Sequence, residues 1–227
     1  MNRTGYLPIS RDEMLERGWN YIDFAVVTGD CYVDHPSFGT AIIARELESL
    51  GFKVGIIDRP DTENKKAFER FGKPRYGFFV GSGVIDSMVL NYTVAKKRRT
   101  DDLYAPRNYP IKRPDRALTV FSNMIRRSYP DSPIILGGIE ASLRRFAHYD
   151  YWADKLMPSV LLDCNADLLS FGMGERQTKE IALRLKKGEK ISEMTDIRGT
   201  CYVADSIEGL SCISLHSFEQ EKGDKEA

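Results

Sequence analysis

Five short apolar runs, four of them closed by glycine-rich loops, constrain this chain more than any other feature of its sequence. Tyr21–Thr28 (YIDFAVVT), Lys53–Ile57 (KVGII), Tyr76–Val80 (YGFFV), Pro133–Leu136 (PIIL) and Ala166–Phe171 (ADLLSF) are apolar, rich in β-branched or aromatic residues, and too short for buried helices. They read as strands covered on both faces. Between them, apolar residues return at helical spacing. Ile42, Ile43, Leu47 and Leu50 do so within Phe38–Leu50, and Gly51 stands where a C-cap belongs. Further helices are expected at Glu63–Phe71, Val84–Tyr92 and Arg116–Tyr129, from near Glu140, and from Gly174-Glu175 to Lys187. Strands alternating with helices in this way predict right-handed βαβ units. The fold class is α/β, a Rossmann-like, mostly parallel sheet with helices on both faces.

The flanks are weaker. Residues 1–20 form an arm with a short helix expected around Asp12–Arg17, and the α/β domain occupies 21–190. Residues 191–227 are an extension with weak strands at Cys201–Ala204 and Cys212–Leu215, ending in a charged tail, Glu219–Ala227, expected to lack structure. The polar stretch Ala95–Pro114 is too irregular for a core element and reads as a lid, a binding loop or disorder.

Lys plus Arg and Asp plus Glu both total 33, so the whole-chain charge favours neither nucleic acid nor a membrane surface. No apolar run approaches the roughly 20 residues of a membrane span. There is no apolar signal region at the start, and the four cysteines, Cys31, Cys164, Cys201 and Cys212, are scattered without a CxxC pair. Reduced thiols and a cytoplasmic location are the expectation.

In such sheets ligands lie beyond the carboxyl ends of the strands, where the strand order switches. The loops that end strands are Gly29–Gly39, Gly81–Ser87, Gly137–Ser142 and Gly172–Glu175. None is a GxGxxG or Walker A sequence, so neither a dinucleotide nor a P-loop site is indicated. Each leads into a helix whose first amides form an anion-friendly rim. In the first loop, Asp34 and His35 are placed to position a proton or a ligand. Equally, Asp34 and Ser37 serve as turn or cap residues and His35 satisfies a backbone carbonyl. One histidine and one aspartate are too few for a metal site.

The other candidates for ligand binding or domain docking are Ser82, Asp86 and Ser87, then Gly137, Gly138, Glu140, Arg144, Arg145, His148 and Tyr151, and finally Gly174 and Glu175. The segment Gly137–Trp152 (GGIEASLRRFAHYDYW) packs a carboxylate, paired arginines, a histidine and aromatics together, and Arg144 and Arg145 suit carboxylate or phosphate grips. The run Lys96-Lys97-Arg98-Arg99, with Arg107, Lys112, Arg113, Arg116, Tyr104 and Tyr109, has the make-up of a segment that contacts RNA or DNA. Asp101, Asp102 and Asp115 dilute it, and a solvated loop is the expectation. No residue is assigned a catalytic role.

Four stretches carry a resemblance. They are GDCYVDHPSFGTAIIARELESLGFKVGII, DSMVLNYTVAKKRRTDDLYAP, KRPDRALTVFSNMIRRSYPDSPIILGGIEASLRRFAHYDYW and ADLLSFGMGE, in that order between Tyr21 and Gly188. They resemble the N-terminal domain of the YgiQ-type radical-SAM proteins, whose own function is uncharacterised. The resemblance implies a cobalamin-binding-type Rossmann fold and, in the full-length protein, a barrel whose Cys-x3-Cys-x2-Cys motif holds a [4Fe–4S] cluster that cleaves S-adenosylmethionine. It also implies the barrel as partner and an unknown substrate. This chain contains no such motif. On its own it is expected to be inactive, a truncated product, a split gene or an isolated domain whose role is holding substrate or docking the barrel. The alternative is a free-standing small-ligand binder, and a more distant one is an RNA-binding adaptor. A cobalt-ligating Asp-x-His-x-x-Gly is also missing, because Asp34 and His35 are adjacent and His35-Pro36-Ser37-Phe38-Gly39 carries an extra residue. The crevice is therefore expected to persist without cobalamin ligation through His35.

Overall fold

The computed structural model describes residues 5–64, 66–105, 113–209 and 211–223. Its centre is a six-stranded sheet of β1 (Phe24–Thr28), β2 (Val54–Asp58), β3 (Gly77–Val80), β4 (Ile134–Leu136), β7 (Leu168–Ser170) and β8 (Thr200–Cys201), in the order β2-β1-β3-β4-β7-β8. The first five are parallel, with β1 in register against both β2 (Val26 opposite Ile56) and β3 (Val26 opposite Phe79). Only β8 runs antiparallel, on β7.

Burial on both faces explains the continuous apolar runs. Along each strand, side chains alternate between two cores. Phe24, Val26, Phe79, Ile135 and Leu168 meet α2 (Gly39–Ser49) and α7 (Glu175–Lys186) through Ala44, Leu47, Ile181 and Ala182. Ala25, Val27, Phe78, Val80, Ile134, Leu136 and Leu169 meet α4 (Ala117–Ser128) through Leu118, Phe121 and Ile125. The remaining helices are short: α1 (Arg11–Glu16), α3 (Ser87–Asn91), α5 (Gly138–Leu143), α6 (Val160–Asp163) and α8 (Phe218–Gly223).

The departures from expectation lie where local sequence is weakest. Glu63–Phe71 forms a single 3-10 turn, Ala67–Glu69, anchored by buried Phe68. The helix expected from near Glu140 stops at Leu143, and an unanticipated antiparallel hairpin follows, β5 (His148–Asp150) with β6 (Lys155–Met157). The Asp150 carboxylate accepts the Ala153 N–H inside its turn (2.8 Å), and Asp154 takes a left-handed φ of 51°. Cys212–Leu215 is irregular and exposed rather than a strand. The tail from Glu219 was expected to lack structure, yet α8 runs to Gly223; residues 224–227 lie outside the described residues.

Candidate functional site

The strand order reverses between β1 and β3: the chain leaves β1 toward β2 on one side and continues through β3, β4 and β7 on the other. That is the switch point where parallel sheets of this order hold ligands. A cleft of about 500 Å³ opens there. Val26, Val27, Phe79, Val80 and Leu136 form its floor, α2 contributes Ile42 and Ile43, and the later loops contribute Val84, Ile139 and Met173.

For two glycines beside this floor, no contact among the described residues requires glycine. Gly137 has an extended φ of −156°, and a Cβ there would meet nothing nearer than Ser170 O at 3.9 Å. Gly81 is not in the left-handed region either, and its Cβ would come no closer than 3.7 Å to Gly137 O. A side chain at either position would instead take up room in the cleft. Gly83, two residues on, is the opposite case: φ is +122°, and a Cβ would sit 2.5 Å from the Asp30 carboxylate. Its glycine is demanded by the fold.

Helix capping divides the molecule in the same way. Ser10, Asp86 and Ser159 cap α1, α3 and α6 through their side chains. The three helices that begin on the cleft, α2 at Gly39, α5 at Gly138 and α7 at Glu175, have no side-chain cap. Their first-turn amides are donors without an intrahelical acceptor. Ser170 Oγ, in a residue only 6% exposed, lines the same cleft with no hydrogen-bond partner among the described residues. Among the described residues Glu175 is the one charged side chain in the lining.

The residues singled out from sequence divide between this cleft and an internal network. Ser37, Gly137, Gly138, Gly174 and Glu175 line the cleft. Asp34 does not; Arg45 binds it through Nε (3.1 Å) and Nη2 and holds its carboxyl below the usual range. Exposed His35 turns back on its own loop, its Nδ1 accepting the Ser37 N–H at 3.2 Å.

The remaining candidates knit α3, α4, α5 and the hairpin together. Glu140, 1% exposed, accepts the Ser87 N–H (2.8 Å) and the Leu118 N–H (3.3 Å), so one carboxyl caps both α3 and α4. Burial, and then neighbouring Asp86, push it above the usual carboxyl range. Ser87 Oγ accepts the Ala117 N–H (3.1 Å), and Ser82 Oγ donates to Ile85 O (3.2 Å). Asp86 accepts the Met88 and Val89 amides and pairs with Arg144 at 2.8 Å. Arg144 and Arg116 both reach Asp150, at 3.8 and 2.9 Å. Arg145 lies over the rings of Phe146 and Phe171 (4.9 and 5.0 Å), His148 Nδ1 meets Phe146 O, and Tyr151 donates to Val94 O at 2.7 Å. The arginines expected as anion grips are thus engaged within the chain.

Sequence reading passed over a second buried device. Arg113, with a fully buried side chain, pairs with Asp30 and lies 4.0 Å from Asp102, while Asp30 also accepts the Val84 N–H at 2.6 Å. This triad ties the stretch after Ala95 to the end of β1 and takes Arg113 out of the basic run, from which Arg116 is also withdrawn by Asp150. Arg107, Tyr109 and Lys112 lie outside the described residues.

The thiols are likewise dispersed. Cys164 is buried, its thiol pushed up to about 12 by desolvation, whereas Cys212 is exposed. Among the described residues no three His, Cys, Asp or Glu side chains are placed to hold a metal ion, so the donor set does not fit an iron–sulfur cluster. Nor is any helix among them long and apolar enough to cross a membrane.

The sequence profile described as "Radical SAM N-terminal" matches residues 6–227. UPF0313 protein CPE1196 of Clostridium perfringens is 51% identical over 227 residues, covering 99% of this chain and 34% of the relative. A UPF0313 protein of Methanocella arvoryzae is 53% identical over 220 residues, covering 96% and 37%. This chain therefore spans about a third of the length of the relatives it matches. Among solved structures, the radical S-adenosylmethionine methyltransferase TsrM of Kitasatospora setae, with tryptophan substrate and a SAM analogue bound, aligns at TM-score 0.52. The alignment has 18% identity and covers 80% of this chain and 28% of TsrM, a likeness of fold.

Proposed function

This chain belongs to the radical SAM N-terminal family, and on that premise we propose that it is the ligand-holding domain of a longer radical-SAM protein. The observation that carries this reading is the pair Gly81 and Gly137, which leave room for a Cβ that nothing in the fold forbids and so keep the cleft floor bare. A ligand there lays an apolar face on Val80 and Leu136 and offers acceptor oxygens to the uncapped first turns of α2 and α7. Ser37, Thr40 and Ser170 add hydroxyl donors, and Glu175 takes a donor at the α7 end. The task of these side chains is to bind, orient and shield the ligand.

Cluster and S-adenosylmethionine chemistry belong to the remainder of the longer protein, and no step of that chemistry is assigned to residues here. Cobalamin ligation through His35 is not part of the reading, because His35 is exposed and hydrogen-bonded within its own loop. Titration with hydroxocobalamin tests this clause: a spectral shift abolished by His35→Ala contradicts it. The main test is native mass spectrometry of the full-length Clostridium perfringens relative. A small molecule should accompany the wild type and be lost when the residue aligned with Gly137 is changed to Val. A variant that keeps the same molecule, or a wild type that carries none, contradicts the reading.

A further inference from the structure

Large apolar side chains are exposed at several places in the molecule, and one group of them lies along α5, the hairpin and the neighbouring loops. Leu143 (61% exposed), Phe146 (50%), Tyr149 (60%), Tyr151 (42%), Val94 (85%) and Met173 (78%) are large apolar side chains left in solvent. Leu143, Phe146, Tyr149 and Tyr151 fall within nine residues of the chain, and contacts tie the two ends of that stretch to the neighbouring loops. Tyr151 donates to Val94 O, Ser142 beside Leu143 accepts the Gly172 N–H beside Met173 (3.2 Å), and Met173 itself lines the cleft. Arg145 lies over Phe146 (4.9 Å), and aromatic, methionine and arginine side chains are the ones protein interfaces enrich.

We infer that this α5–hairpin face is the seat of the remainder of the longer family protein, the portion that relatives carry beyond the third matched here. The inference rests on the reading of this chain as one domain of such a protein. Two observations select this occupant over others. First, α8, the last described element in the chain, lies beside β6, and this chain covers only 34% of the Clostridium perfringens relative, so a large further portion needs a seat. Second, the face is continuous with the cleft mouth through Met173, so a domain seated on it covers the bound ligand and excludes water while presenting it to the partner domain. The hairpin, which performs no role in the sheet, is on this account a docking element.

The test is hydrogen exchange on the full-length Clostridium perfringens relative, as wild type and with the residues aligned with Phe146 and Tyr149 both changed to Ser. Amides of α5 and the hairpin should exchange at least about tenfold faster in the variant, because its docked surface is released. The same pair of changes in this chain alone sets the baseline, because it also removes the Tyr149 hydrogen bond to Asp154 and the Arg145 contact over Phe146; the acceleration in the full-length protein should exceed that baseline. Equal exchange in the two full-length proteins overturns the inference. So does sedimentation showing that this chain forms a dimer broken by Phe146→Ser and Tyr149→Ser, because the occupant would then be a second copy. Ligand retention separates the two claims. If the Gly137→Val change still strips a ligand while exchange is unaffected, the docking face falls and the ligand cleft stands; the reverse pattern removes the cleft and leaves the face.

Discussion

The C-terminal edge of the sheet has two halves built on opposite plans. Beyond β3 and β4, on the side of α3 and α4, polar groups are consumed: Glu140 caps α3 and α4, Asp86 also caps α3 and pairs with Arg144, and Asp150 gathers two arginines. On the side of α2 and α7 the helices begin without side-chain caps over a floor of glycine and apolar carbon, and Ser170 Oγ has no partner among the described residues. Dense charge marks structure here, and the bare region is where the proposed ligand lies. A buried polar group is costly unless it is paired, so a chain that must bury carboxylates surrounds them with its own donors. A chain that must admit a ligand leaves donors unpaired until the ligand arrives.

The contrast can be broken most severely at its structural half. Arg113→Ala leaves Asp30 buried without its guanidinium and should cost about 3–5 kcal/mol in urea unfolding. A loss typical of a surface ion pair, below about 1 kcal/mol, would show that the triad is solvated.

Glu140→Ala comes next, orphaning the Ser87 and Leu118 amides at about 1–3 kcal/mol each. Its titration sharpens the point. Because burial raises the folded carboxyl above its unfolded value, Glu140 favours the fold at pH values below the ordinary carboxyl range. That contribution is lost as pH rises through the folded pKa. The stability of wild type relative to Glu140→Gln should therefore fall with rising pH across that window, and a constant difference would contradict the assignment.

The smallest effects belong to the glycines, and they should differ from one another. Gly83→Ala meets a left-handed φ and the Asp30 carboxylate and should lose about 1–3 kcal/mol. Gly137→Ala, in extended backbone with open space ahead, should change stability by less than about 1 kcal/mol, in the stabilising direction. Equal losses at both positions, followed by chemical denaturation, would erase the distinction between fold-required and ligand-required glycine.

Much of this architecture is legible in sequence because the strands are buried on both faces. YIDFAVVT and YGFFV announce themselves without an alternating pattern, and four of the five strand-end loops announce themselves by glycine. The loops that hold the cleft were thus marked, along with Ser37, Gly137, Gly138, Gly174 and Glu175. The hairpin was not, because RRFAHYDYW has no two-residue turn signal and its register depends on Asp150 and a left-handed Asp154. The fates of Glu140, Arg144 and Arg113 were hidden for a different reason. Their partners Ser87, Asp86 and Asp30 lie far away in the chain, and only the fold brings them together. Ile42 and Ile43 carry no chemical signature beyond being apolar, and Met173 was marked only through the loop that holds it, Gly172–Glu175.

The central claim is that the glycine-floored cleft is occupied in the complete protein. A crystal structure of the full-length Clostridium perfringens relative tests it most directly. The expected result is density for a non-protein molecule lying against the positions aligned with Gly81 and Gly137, with acceptor atoms at the first turns of α2 and α7. A cleft holding only solvent, or filled by a side chain from the remainder of the protein, would contradict the account.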